Sequence, residues 1–168
     1  MGRYRPPAAP KSRYITPQGR LALEQELKYL WRDKRPKVTQ AVSEAAAQGD
    51  RSENAEYIYG KKMLREIDSR IHYLQKRLDL VEVVDRTPDD PEKIFFGAWV
   101  KLENEQGHVV VYRIVGADEF DTEKKWISID SPMAKALLKK SIGEDVLVKL
   151  PKGEAEYHIL DVSYQPFE

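Results

Sequence analysis

Apolar residues in the first half of this chain recur at steps of three and four. Leu23, Leu27 and Leu30 open one stripe with Trp31 beside it, and Val38, Ala41, Val42 and Ala45 continue it. Leu64, Ile67, Ile71, Leu74, Leu78 and Val81 form a second stripe, spaced 3-4-3-4-3. That spacing predicts two amphipathic helical stretches with a heptad seam. Thr16 followed by Pro17 predicts an N-cap with proline at the first helical position, where its missing N–H costs nothing. Pro36 predicts a kink, because it removes a backbone donor and crowds the preceding turn. Gln48-Gly49 predicts the end of the first stretch, glycine being the residue that most readily takes a positive φ. Neither stripe can bury its face alone, so two such helices joined by a short turn must pack antiparallel. At 1.5 Å per residue each arm is roughly 45 Å long. A protruding helical hairpin is expected.

Thr87-Pro88-Asp89-Asp90-Pro91 has linker composition, and after it the period changes to 2. Phe95 to Leu102, Val109 to Val115, Trp126 to Asp130, Asp145 to Leu150 and Glu154 to Tyr164 are predicted strands. One short helix is predicted over 132–140, with Ser131 as its cap. The expected class is α+β: a tail over 1–12, a hairpin over 13–84 with its turn at 49–54, a linker over 85–94, and a small, mostly antiparallel sheet domain over 95–168. Residues 1–12 are basic and Pro-rich without periodicity, and are expected to be disordered.

Composition narrows this picture. The 168 residues contain no cysteine, which excludes disulfides and thiolate metal sites. No apolar run approaches the ~20 residues of a membrane span, and the N-terminus lacks the apolar core of a secretion signal. A soluble cytoplasmic protein without membrane contact is expected. The net charge of zero hides an asymmetry. Residues 1–87 carry 18 Lys/Arg against 12 Asp/Glu, and residues 88–168 carry 10 against 16. The halves are thus +6 and −6, as expected of two modules that face different partners.

The densest chemistry lies between the two helical stretches, at Asp50-Arg51-Ser52-Glu53. Asp-x-x-Glu can be a capping box, with Asp50 as N-cap and Glu53 reaching back to it. Ser52, however, is a competing cap that would leave Asp50 free, and a turn so far from any core gains little from extra stability. Carboxylates at a helix N-terminus are favoured in their ionised form, and positions three apart can approach one hard cation. Mg²⁺ requires six oxygens, commonly one or two carboxylates plus phosphates and water. The turn therefore implies half a metal site, completed by a partner. Lys61, Lys62 and Arg65 begin within about three turns of it, with Arg51 nearer and Tyr57 and Tyr59 interleaved. They suit either a solvated flank or a phosphate track with stacking aromatics. Asp130-Ser131-Pro132-Met133 is either a strand-to-helix turn with its cap or a docking surface. His72, His108 and His158 share no ligand spacing, and no nucleophile–base arrangement is evident.

Several segments together carry a resemblance: Gly49-Asp50-Arg51-Ser52-Glu53-Asn54-Ala55-Glu56-Tyr57, Tyr29-Leu30-Trp31-Arg32, Phe95-Phe96-Gly97-Ala98, Tyr112-Arg113-Ile114-Val115-Gly116, and Ile127 to Ala134. In collinear order over roughly 13–165, they resemble the bacterial Gre transcript cleavage factors. The resemblance implies an antiparallel coiled-coil hairpin followed by a domain of FKBP-like fold without isomerase activity. It implies that the second domain docks at the rim of the RNA polymerase secondary channel while the hairpin enters it. Asp50 and Glu53 would help hold a Mg²⁺ shared with the polymerase, so that backtracked RNA is cut endonucleolytically by an enzyme other than this chain. Arg51, Lys61, Lys62 and Arg65 would bind the nascent RNA 3′ end, and Asp130, Ser131, Pro132 and Met133 would contact polymerase. DNA of the elongation complex is a further candidate contact, and a monomer is expected. Two other readings remain: a channel-binding regulator that does not promote cleavage, and a hairpin that binds RNA independently.

Overall fold

A computed structural model describes residues 4–49 and 53–168. The chain divides into two compact units. One comprises residues 20–81, and the other comprises residues 1–19 together with 82–168.

The helical unit realises the stripes. Helix α1 (Pro17–Tyr29) runs through a π-helical segment (Leu30–Lys34) into α2 (Arg35–Ala47), and α3 (Ala55–Leu80) returns beside them. Thr16 caps α1 as expected: its Oγ1 accepts from Gly19 N at 3.0 Å. Pro36 is accommodated by the π segment that precedes it. The Arg35 N–H donates to Leu30 O, one residue further back than the α-helical partner, which widens the turn that the proline ring would otherwise crowd. Antiparallel pairing shows in the cross-links. Arg70 bonds Glu26 at 2.7 Å, Arg35 bonds Asp68 at 2.7 Å, and Asn54 reaches Ala45. Ile67, Ile71 and Leu74 are buried, Leu74 at 0% exposure, and Leu23, Leu30 and Ala45 are buried on the opposing stretch. Gly60 explains how the helices close up near the turn. A Cβ there would lie 2.6 Å from Val42 Cγ2, so this close approach favours glycine despite its helix cost of about 1 kcal/mol. No described helix is long and apolar enough to cross a membrane.

The second unit holds a five-stranded sheet. Its strands are β3 (Trp99–Asn104), β4 (Val109–Val115), β5 (Trp126–Ser128), β6 (Asp145–Leu150) and β7 (Gly153–Ser163), in the order β5-β4-β3-β7-β6. Pairing is antiparallel except for β4 with β5, which run parallel. Helix α4 (Pro132–Leu137) supplies the other side of the core. The two-residue period is realised in β3, where Val100 and Leu102 are buried, and in β6, where Val146 and Val148 are. These four pack with Ile114, Ile159, Ala134 and Leu137.

Several boundaries differ from the sequence-based expectation: the strand expected over 126–130 ends at Ser128, and the helix expected over 132–140 ends at Leu137. Residues 13–19 and 82–84 group with the sheet unit rather than with the hairpin, because β1 (Tyr14–Ile15) and β2 (Glu82–Val83) pair in parallel there. The linker expected over 85–94 ends earlier. Ile94 is a core residue at 0% exposure, and its N–H donates to Lys140 O at 2.8 Å. Residues 95–98 form a loop before β3 rather than its first half, with Gly97 at φ 87°. The end of the basic tail is also held: Ser12 N donates to Asp130 Oδ2 at 2.9 Å, and Lys11 pairs with Asp118.

Candidate functional site

The hairpin turn is built from both helix ends. α2 stops at Ala47, Gln48 N donates back to Ala45 O at 3.2 Å, and Gly49 takes φ 145°. Asp50, Arg51 and Ser52 lie outside the described residues. Glu53 follows in a turn and is exposed. Asn54 is the N-cap of α3, and its Oδ1 accepts from Tyr57 N at 3.2 Å. Its Nδ2 donates to Ala45 O at 2.7 Å, so one side chain satisfies a donor of α3 and an acceptor of α2. The capping-box alternative therefore fails. A box would place Glu53 three residues inside a helix begun by Asp50, whereas Glu53 precedes the cap and Asn54 does the capping. Glu53 is left just before the N-terminus of α3, at the positive end of its dipole.

Lys61, Lys62 and Arg65 are exposed on α3. At 1.5 Å per residue they lie about 9–15 Å along the axis from Ala55. Tyr59 and Ile58 are exposed nearer the turn, and Tyr57 is half-buried. Trp31 stands 57% exposed on the opposing stretch, with the Arg35 guanidinium 5.7 Å from its ring centroid.

At the other candidate surface, Ser131 is the N-cap of α4, its Oγ accepting from Ala134 N at 3.2 Å, and Pro132 follows it exposed. Met133 corrects the expectation of a surface contact. It is 8% exposed and packs in the core of the sheet domain, because the first inward position of this short helix must fill space beneath the strands. Pro132 is exposed, and Asp130 and Ser131 are half-buried beside it. Ile129 and Leu138, on either side of them, line an open groove of about 1210 Å³ with Tyr14, Phe95, Phe96 and Val83. Sequence reasoning did not place this groove. Sequence reasoning had put Phe95-Phe96 inside a strand, and only their place in the loop before β3 brings them to the groove.

The chain is thus a two-unit factor, with exposed acidic and basic side chains on a helical hairpin and an apolar groove on a sheet domain. The domain family described as "Transcription elongation factor, N-terminal" matches residues 13–83, and that described as "Transcription elongation factor, GreA/GreB, C-term" matches residues 88–164. The Transcription elongation factor GreB of Yersinia pestis is 61% identical over 158 residues, covering 94% of this chain and 92% of its own. That of Pseudomonas aeruginosa is 56% identical over 166 residues, covering 99% of each. Among solved structures, GreA factor homolog 1 of Thermus thermophilus is 25% identical with a TM-score of 0.40, covering 89% of this chain and 97% of its own. The chain belongs to the GreA/GreB family of transcription elongation factors.

Proposed function

We propose that this elongation factor acts on bacterial RNA polymerase, inserting its hairpin into the secondary channel and stimulating endonucleolytic cleavage of backtracked nascent RNA. The observation that carries the reading is the state of the turn. Glu53 is exposed at a helix N-terminus and is released from capping by Asn54, so its oxygens are available to something outside the chain. Asp50 is assigned beside it on the sequence alone.

A shared Mg²⁺ fits this donor chemistry as a minority contribution: hard carboxylate oxygens from Glu53 and Asp50, with the other ligands coming from polymerase and RNA phosphates. Such an ion, when bound, activates water and stabilises the charge that develops at phosphorus. The chain's own part is positional. Glu53 and Asp50 offer oxygens to the ion and accept a hydrogen bond from the attacking water. Lys61, Lys62, Arg65 and Arg51 neutralise phosphates of the extruded 3′ segment, without base readout. The groove beside Asp130-Ser131-Pro132 takes an apolar element of polymerase. Catalysis belongs to polymerase and is stimulated in trans.

The test is a stalled elongation complex with labelled RNA. Asp50→Asn and Glu53→Gln should each lower stimulated cleavage roughly 10- to 100-fold, the usual loss when a metal site loses a supporting group, while binding to polymerase stays near wild type. Normal cleavage by both variants removes the assignment. Altered initiation with no cleavage by the wild-type chain favours the regulatory reading instead.

A further inference from the structure

Trp31 stands in the π-helical segment at 57% exposure, with the Arg35 guanidinium 5.7 Å from its ring centroid. Tryptophan is highly buried on average, and this indole is left in water among cations. Residues 28–37 hold five Lys/Arg against one acid, Asp33. Lys28, Trp31, Arg32 and Arg35 recur at the spacing of one helix face. The contact of Arg35 with the ring shows that the π turn preserves that face. On α3, Lys61, Arg65 and Asp68 share a face by the same spacing. Arg35 joins the two faces, donating to Asp68 through Nε at 2.7 Å and through Nη2 at 3.4 Å.

That ion pair neutralises the acid at the junction and leaves a cationic flank on one side of the hairpin. Lys28, Arg32, Lys61 and Arg65 are all exposed, and none is ion-paired among the described residues. Lys61 and Arg65 lie about 9–15 Å from the start of α3, and Trp31 lies about 24 Å from the end of α2, so the flank continues along the arm. We propose that it binds single-stranded RNA, with Trp31 stacked on one base while Arg32 and Lys28 contact the phosphates beside it. Every base has a π face, so an exposed indole stacks without regard to sequence, and neighbouring cations hold the backbone. The strand must be single, because a paired base has no face free to stack. An apolar protein surface fits less well, since it would desolvate four cations without pairing them. The site lengthens the track of Lys61, Lys62 and Arg65, and it rests on the proposed function for the source of the RNA.

The full chain reports on itself in nitrogen-15 NMR with a short oligoadenylate. The Trp31 indole N–H, assigned by its loss in Trp31→Phe, should shift saturably, while those of Trp99 and Trp126, in the other compact unit, stay still. Trp31→Ala should weaken binding about tenfold and leave the slope of log affinity against log salt unchanged. Arg32→Ala should instead lower that slope by about 0.7, the share of one phosphate of a single strand. Trp31→Tyr keeps a ring and should bind within about threefold of wild type. No Trp31 shift at millimolar RNA, or unchanged affinity in Trp31→Ala, overturns the proposal. An equal shift with inorganic polyphosphate overturns the stacking contact. Weaker association of Trp31→Ala with polymerase free of nucleic acid assigns the indole to a protein contact, and overturns the proposal too. The titrations contain no polymerase, so failure of stimulated cleavage and failure of this site are read separately.

Discussion

Replacing Asn54 tests whether the hairpin turn is held by one side chain. In Asn54→Ala, α3 loses the bond from Tyr57 N to Oδ1, and α2 loses the bond from Nδ2 to Ala45 O. An N-cap contributes about 1 kcal/mol. A net hydrogen bond contributes about another, and Ala45 O is not orphaned because Gln48 N still donates to it. The turn should therefore lose about 2 kcal/mol, roughly a 30-fold rise in local opening. Because the chain has two compact units, a single melting temperature would blur the effect. Amide hydrogen exchange at Tyr57 and Ile58 isolates it. Asn54→Asp separates the two bonds: its carboxylate still caps α3 and suits the dipole, but it cannot donate to Ala45, so exchange should rise only about fivefold. If Asn54→Ala exchanges within about twofold of wild type, the turn is held by something other than this side chain. Equal exchange in both variants would show that the link to Ala45 contributes all the stability and the cap none.

Three further outcomes follow from the same structure. Leu74→Ala, at a position with 0% exposure, should destabilise the hairpin by 2–5 kcal/mol, read by urea unfolding of the helical signal. Lys61→Ala with Arg65→Ala should reduce stimulated cleavage of long backtracked RNA more than of short RNA, measured on complexes stalled at defined depths; equal reduction removes the phosphate-track role. Tyr164 donates to Lys93 O at 2.5 Å and accepts from Phe95 N at 3.0 Å, and burial raises its pKa. A raised tyrosine pKa means that the folded state holds its proton more tightly. Its contribution is therefore full below about pH 10 and is lost as pH rises through the folded-state value. Tyr164→Phe should cost about 1–3 kcal/mol at neutral pH and flatten the alkaline fall in stability, checked by denaturation at several pH values.

The heptad stripes determined the hairpin, because helices with one apolar face have few ways to bury it. Thr16-Pro17 determined where α1 begins, and alternation determined β3 and β6, since a strand's side chains have only two directions. The identity of the family was legible in other segments, Gly49 to Tyr57, Phe95 to Ala98 and Ile127 to Ala134 among them. Other features depended on contacts between residues far apart in sequence. That Asn54 caps α3 depends on where Ala45 O lies across the turn. That Met133 is core, and Ile94 not linker, depends on α4 packing under the sheet. The π segment before Pro36 is one of several ways a helix can absorb a proline, and packing selected it. Arg113, an ordinary strand arginine in sequence, became a buried cation over two indoles only when β3, β4 and β5 came together. Local pattern fixes which face is apolar; only the folded chain decides which polar atoms are left to meet a partner.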